Sequence, residues 1–342
     1  MSLYPLKFKP RYLEKMWGGR KIQSILGKTP PAGKMIGESW EIYDFPPGVV
    51  DKSGGWVSSE VAAGSLAGQT LHQLVEKLGN DLTGNAKLVG SAGQFPLLIK
   101  YLDAKDDLSV QVHPDETYAA TNPGAHLKSE AWYVVQADNG SRILKGLSTR
   151  SSRESFKSAI DQGNVETQIR SIPVKPGECF YLPSGTVHAL GAGILAAEVQ
   201  TPSDTTFRVF DFDRVDPTTG TKRALHVDQA LACINFTQAP PSDVPAAGNT
   251  HRFFPTASRL VTSEYFTIDK IRCARGTHRP ISYNEAVIWM MLEGDGQIAA
   301  DGVSEPTFFV RGDTLLLPAA MKQPVLQTTR DCIWLEITLP QR

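Results

Sequence analysis

The chain has 342 residues, 35 basic against 36 acidic side chains for a formal charge of −1, and 41% hydrophobic residues. Single hydrophobic cores stop growing at roughly 250 to 300 residues, so two domains are expected. The balanced charge offers no field for nucleic acid, and the longest apolar run, Ala286 to Leu292, is far short of the ~20 residues of a membrane helix, so neither nucleic acid nor membrane is an expected partner.

Met1 to Lys7 has no basic stretch ahead of an apolar one, so no export signal is expected. Cys179, Cys233, Cys273 and Cys332 form no Cys-x-x-Cys pair and lie in or beside apolar segments, as buried reduced thiols of a cytoplasmic protein do. Along the chain, Thr70 precedes Leu71, Leu74, Val75 and Leu78 at helical spacing, with Gly79 placed to stop the helix. The run Leu108 to Pro114 alternates as a strand, and a single turn is expected after Asp115, ended by Asn122-Pro123. Ala131 to Val135, before Asp138-Asn139-Gly140, reads as another strand. Further helices are expected over Ser152 to Ile160 and Val227 to Ile234. Pro240, Pro241 and Pro245 make Ala239 to Gly248 the linker candidate, which places a boundary near 245.

An internal repeat supports that division. Gly177 to Pro183 and Gly312 to Pro318 share a Gly-acidic-x4-Pro pattern, preceded in the same order by strands opening at Glu130-Ala131 and Glu285-Ala286. A strand, a glycine turn and a second strand ended by proline suit a small antiparallel barrel. A mainly β fold is therefore expected, with few helices.

Ser109, Gln111 and His113 share one face of their strand, because residues two apart point the same way. For a lone Gln-x-His, a solvated strand face is the commoner explanation. Pro183-Ser184-Gly185-Thr186-Val187-His188, which begins six residues beyond Gly177, resembles the second cupin motif, whose histidine binds metal within a jelly-roll barrel; the motif's usual asparagine is missing near Gly191. Where the first cupin motif carries His-x-His, this chain has Gln111-x-His113, with Glu130 further on, an arrangement that resembles the type I phosphomannose isomerases. Trp17-Gly18-Gly19, Gly37 to Glu41, Pro96 to Ala104 and Lys128-Ser129-Glu130 occur in the order of the shorter bacterial members.

The resemblance implies two cupin-type jelly-roll barrels, residues 1–245 and 246–342, with a few short helices in and around the first. It implies one Zn²⁺ per chain, held by Gln111, His113, Glu130 and His188, and interconversion of mannose 6-phosphate and fructose 6-phosphate through an enediol. It further implies that Lys128, Asp204 and Arg208 are catalytic, and candidates for the phosphate are Arg208, Ser109 and Lys100. Lys100, in an otherwise apolar strand, either snorkels from a barrel wall or lines a pocket. The second unit has Gln323 at the position of His188 and no metal is expected there. A sugar phosphate is the expected partner of a monomer or weak homo-oligomer. Two alternatives are a mononuclear iron cupin oxygenase and a non-catalytic sugar-binding bicupin; Gln111 argues against the first, and the presence of Lys128, Asp204 and Arg208 against the second.

Overall fold

A computed structural model describes residues 2–45, 57–216, 220–237, 256–281 and 283–341; the linker expected over 239–248, with its boundary near 245, lies outside the described residues. The fold is mainly β, as expected, and every strand pairing in it is antiparallel. In the N-terminal half a six-stranded sheet runs, in spatial order, Cys179–Leu182, Glu130–Ala137, Ile194–Gln200, Leu98–Ala104, Arg11–Gly19 and Ile36–Ile42. A five-stranded sheet faces it, in the order Ile169–Pro173, Arg142–Leu147, His188–Leu190, Val110–Val112 and Phe207–Phe210.

Period-two alternation sorts these side chains into layers. Trp132, Val134, Phe180 and Ala196 point inward to meet Leu108, Ile143 and Leu190 of the facing layer. Their neighbours Ala131, Tyr133, Leu195 and Ala197 point outward, into one apolar layer with Ile288, Met290, Leu335 and Ile337 of the C-terminal half. The halves thus pack sheet on sheet through the outer face of the first six-stranded sheet.

The helix Leu71–Leu78 docks Leu71, Leu74 and Val75 on that shared layer. It starts where expected because Thr70 and Gln73 form a reciprocal capping box, and it stops at Gly79. Arg153–Asp161 and Val227–Cys233 cover the outer face of the five-stranded sheet, burying Phe156, Ala230 and Leu231 against Val110, Val112 and Leu144. The turn after Asp115 is the helix Glu116–Thr121, capped by the Asp115 carboxylate and ended at Asn122. Lys21–Ser24 and Asn80–Thr83 are single turns, too short to show a period. Among the described residues no helix is long and apolar enough to cross a membrane.

The C-terminal half repeats the design with a sheet of Leu6–Lys7, Thr314–Leu317, Val287–Glu293, Cys332–Thr338, Thr267–Cys273 and Thr256–Thr262. A four-stranded sheet of His278–Pro280, Val325–Thr328, Asp295–Ala299 and Thr307–Val310 faces it. The strand Leu6–Lys7, from the beginning of the chain, is hydrogen-bonded here, with Leu6 opposite Leu316.

The sequence repeat corresponds to equivalent hairpin partners. Gly177 and Gly312 both take left-handed conformations, φ 96° and 86°, which explains glycine at each. The register corrects one alignment: Leu182 pairs with Glu130, whereas Leu317 pairs with Val287. The counterpart of Glu130 is therefore Val287, and Glu285 lies two residues ahead of the strand.

Candidate active site

The five-stranded sheet sets one row of side chains side by side, Arg208 opposite Gln111, Gln111 opposite His188, and His188 opposite Lys145. His113 stands just past the end of its strand, on the face of Gln111. Glu130 enters from the facing sheet as the first residue of its strand. Ligand-capable atoms of His113, Glu130 and His188 all lie within 4.8 Å of one another, and all three residues are buried. His113 Nε2 is 3.4 Å from Glu130 Oε2, and His188 Nε2 is 3.2 Å from Glu130 Oε1.

Two backbone contacts decide what that cluster can hold. His113 Nδ1 is 2.9 Å from the Thr205 carbonyl oxygen and His188 Nδ1 is 2.8 Å from that of Thr186, so each Nδ1 is the donor and, in the neutral imidazole, each Nε2 presents a lone pair. Two lone pairs then face an acceptor-only carboxylate. A cation resolves that arrangement, and the donor set of two imidazoles and a carboxylate suits a divalent transition metal. The Gln111 amide adjoins it, with Nε2 3.4 Å from His188 Nε2 and Oε1 accepting from Ser109 Oγ at 3.3 Å. Rotating the amide by half a turn presents Oε1 to the cluster instead.

Charge reinforces the geometry. Burial, and then the Lys128 ammonium, drive the His113 pKa down to about 3, so the ring is neutral and ready to ligate. Burial alone raises a carboxyl pKa, yet Lys128 and His113 hold Glu130 well below its usual range. Lys128 Nζ lies 3.0 Å from Glu130 Oε2.

Gln111 and Lys128, which adjoin this cluster, line a cleft of about 260 Å³ together with Asp204, Arg208, Ser109 and Lys100, so every catalytic and phosphate candidate borders one space. Asp204 is exposed there, in the connection ahead of strand Phe207–Phe210. Arg208 Nε donates to Ser109 Oγ at 3.1 Å, which joins the arginine to the Gln111 side of the cluster. Lys100 lines the cleft and is buried, its ammonium 2.8 Å from Glu198 and 3.6 Å from Glu38. Against the cost of burial, Glu198 and Glu38 raise its pKa and keep it charged.

Glu38, Glu198, Arg223 and His226 also line the cleft and were not singled out in the sequence. Trp40 Nε1 donates to Glu38 at 2.7 Å and Trp132 Nε1 to Glu198 at 3.0 Å, fixing both carboxylates. Burial, with the nearby charge of Glu130, raises the Glu198 pKa to about 7. A carboxylate inside the otherwise apolar strand Ile194–Gln200 is the signal that could have revealed Glu198.

Comparison with known proteins agrees with this geometry. The family model for the phosphomannose isomerase type I catalytic domain matches residues 5–141. The chain is 37% identical over 318 residues to the mannose-6-phosphate isomerase of Streptococcus mutans, covering 93% of each chain. It is 34% identical over 332 residues to the probable mannose-6-phosphate isomerase GmuF of Bacillus subtilis, covering 95% of this chain and 97% of that one. The crystal structure of the mannose 6-phosphate isomerase from Bacillus subtilis superposes with a TM-score of 0.84 at 31% identity, over 98% of this chain and 100% of that one.

Proposed function

Because the chain belongs to the type I phosphomannose isomerase family, we propose that its cleft interconverts mannose 6-phosphate and fructose 6-phosphate with one zinc ion per chain. One observation carries this function: two buried imidazoles, each with Nδ1 engaged by a backbone carbonyl, aim Nε2 at one buried carboxylate. We assign Gln111, His113, Glu130 and His188 as the ligands. A divalent ion held there supplies a Lewis acid against the negative charge that grows on the sugar oxygens as the carbon proton leaves.

The protein's own groups do the rest. Lys128 and Asp204 are assigned the proton transfers between adjacent carbons and their oxygens, each such group contributing typically 10² to 10⁴-fold. Arg208, oriented by Ser109, stabilises negative charge and binds phosphate through its fork of donors. Lys100 sits deeper, shared by Glu198 and Glu38, where it faces sugar hydroxyls more naturally than a terminal phosphate. For function we divide the chain into residues 1–245, with the metal centre, and 246–342, without one, and we expect a monomer or weak homo-oligomer.

A coupled assay for fructose 6-phosphate formation, run beside elemental analysis of the purified protein, tests this. Activity is expected to disappear with a chelator, return with zinc, and accompany one zinc per chain. Full turnover by chelated protein, or a stoichiometry near two, would overturn it.

A further inference from the structure

The arginine-rich end of the cleft is organised by Asp211, the residue after strand Phe207–Phe210. Arg223 Nε donates to Asp211 Oδ2 at 2.7 Å and Arg223 Nη2 donates to Oδ1. Arg214 also donates to Oδ1, and to the carbonyl oxygens of Asp211 and Asp107, so its donors are spent on holding the turn. Arg223 differs from Arg214 in lining the cleft beside Arg208 and His226.

Those three residues are aligned by one short pairing. The Arg208 carbonyl oxygen accepts from the His226 backbone N–H at 2.7 Å, and the Arg208 N–H donates to His226 Nδ1 at 3.4 Å. Arg208 Nη1 donates to the Ala224 carbonyl oxygen at 3.1 Å. Since His226 Nδ1 is the acceptor, its ring proton sits on Nε2, where it is available as a neutral donor. Burial and the Arg208 charge lower the His226 pKa, in keeping with that neutral form.

Counting charges shows what this end lacks. Asp211 pairs with both Arg214 and Arg223, while Arg208 is held by neutral acceptors, Ser109 Oγ and the Ala224 carbonyl oxygen, so the arginines gathered here outnumber the carboxylate that binds them. Burial first, then the Arg223 charge, lower the Arg208 pKa. Lys15 and Lys100, which line the same cleft, are already paired with Glu38 and Glu198. A phosphate monoester carries about −1.5 to −2 near neutral pH, which suits the arginines better than lysines already paired with carboxylates.

Resting on the isomerase reading above, we propose that Arg223 and His226 complete with Arg208 the cradle that selects phosphorylated over free sugars, and that Asp211 is the positioning residue that aims Arg223. The Asp211 carboxylate takes one edge of the Arg223 guanidinium and thereby turns the other toward the cleft.

The test compares wild type, Arg223→Ala, Arg223→Lys and Asp211→Asn by two readouts: steady-state kinetics with mannose 6-phosphate, and calorimetric binding of inorganic phosphate, which needs no turnover. Arg223→Ala is expected to raise KM and weaken inorganic phosphate by about 10 to 100-fold, with kcat within about threefold. Arg223→Lys should recover part of the loss, because an ammonium keeps the charge without the fork. Asp211→Asn should show a smaller loss in the same two constants. Phosphate affinity and KM unchanged in Arg223→Ala, or losses in Asp211→Asn confined to kcat, would overturn the cradle. If Arg223→Ala does not melt as wild type does, Arg223→Lys decides by the same criteria. Phosphate binding lost with Arg223 in a protein that does not isomerise mannose 6-phosphate would sink the isomerase reading and leave the cradle standing; wild-type isomerisation with equal phosphate affinity in every variant would sink the cradle alone.

Discussion

The two halves of this molecule share a frame and differ in what fills it. Each places a tryptophan opposite a glutamate on neighbouring strands, Trp132 with Glu198 and Trp289 with Glu336. Two residues before the tryptophan, the N-terminal half has Glu130 and the C-terminal half Val287. Two residues before the glutamate, the first has Ala196 and the second Trp334, which stacks on Trp289 with centroids 4.4 Å apart. Tyr283 then donates to Glu336 at 2.6 Å, where Glu198 is instead held by Trp132 and Lys100. Gln323, the sequence counterpart of His188, is exposed. The halves thus differ in the packing around the shared tryptophan as well as in the residues at the ligand positions.

The largest effect that should separate the halves is Glu130→Gln. We expect kcat to fall by about 10⁴-fold with loss of bound metal, since a Lewis acid supplies several kcal/mol. Retained zinc at wild-type turnover would remove Glu130 from the centre. Next, Trp334→Ala should destabilise the fold by about 3 to 5 kcal/mol in denaturant titration while metal per chain stays constant. A coupled loss of metal would mean that the halves do not act separately. Lys128→Ala should lower kcat by about 10²-fold and leave metal content unchanged; an unaltered kcat would take it out of the proton transfers.

The smallest contrast concerns pH. In metal-free protein the His113 imidazole resists protonation until about pH 3, whereas an unfolded imidazole titrates near 6.5. The unfolded chain thus binds the extra proton first, so this residue's contribution is complete above pH 6.5 and is lost as pH falls toward 3, by up to about 1.4 kcal/mol per unit. Chelated His113→Gln should show a correspondingly shallower decline in stability; parallel curves would show that the ring is not buried and neutral.

Much of this was legible because motif spacing and strand period carry it. The family resemblance pointed to His113, Glu130 and His188, which meet in one buried group, and the Leu71–Leu78 helix follows from its period and cap. What stayed hidden needed register. Glu198 pairs across the sheet with Lys100, and nothing in either strand alone announces the other. Val287 rather than Glu285 matches Glu130 because strand pairing, not sequence likeness, sets equivalence. Arg223 and His226 lie in irregular chain, where no period exists to mark a face.

The strand Leu6–Lys7 has a further consequence, for synthesis. Its partner Leu316 and the Asp313 carboxylate that binds Lys7 at 2.6 Å are made some 300 residues later, with 306 residues separating Lys7 from Asp313. At about 5 to 20 residues per second, a nascent chain carries that apolar edge for on the order of 15 to 60 s before its mate leaves the ribosome. The final assembly of the C-terminal sheet is thus a late event that joins segments made far apart in time.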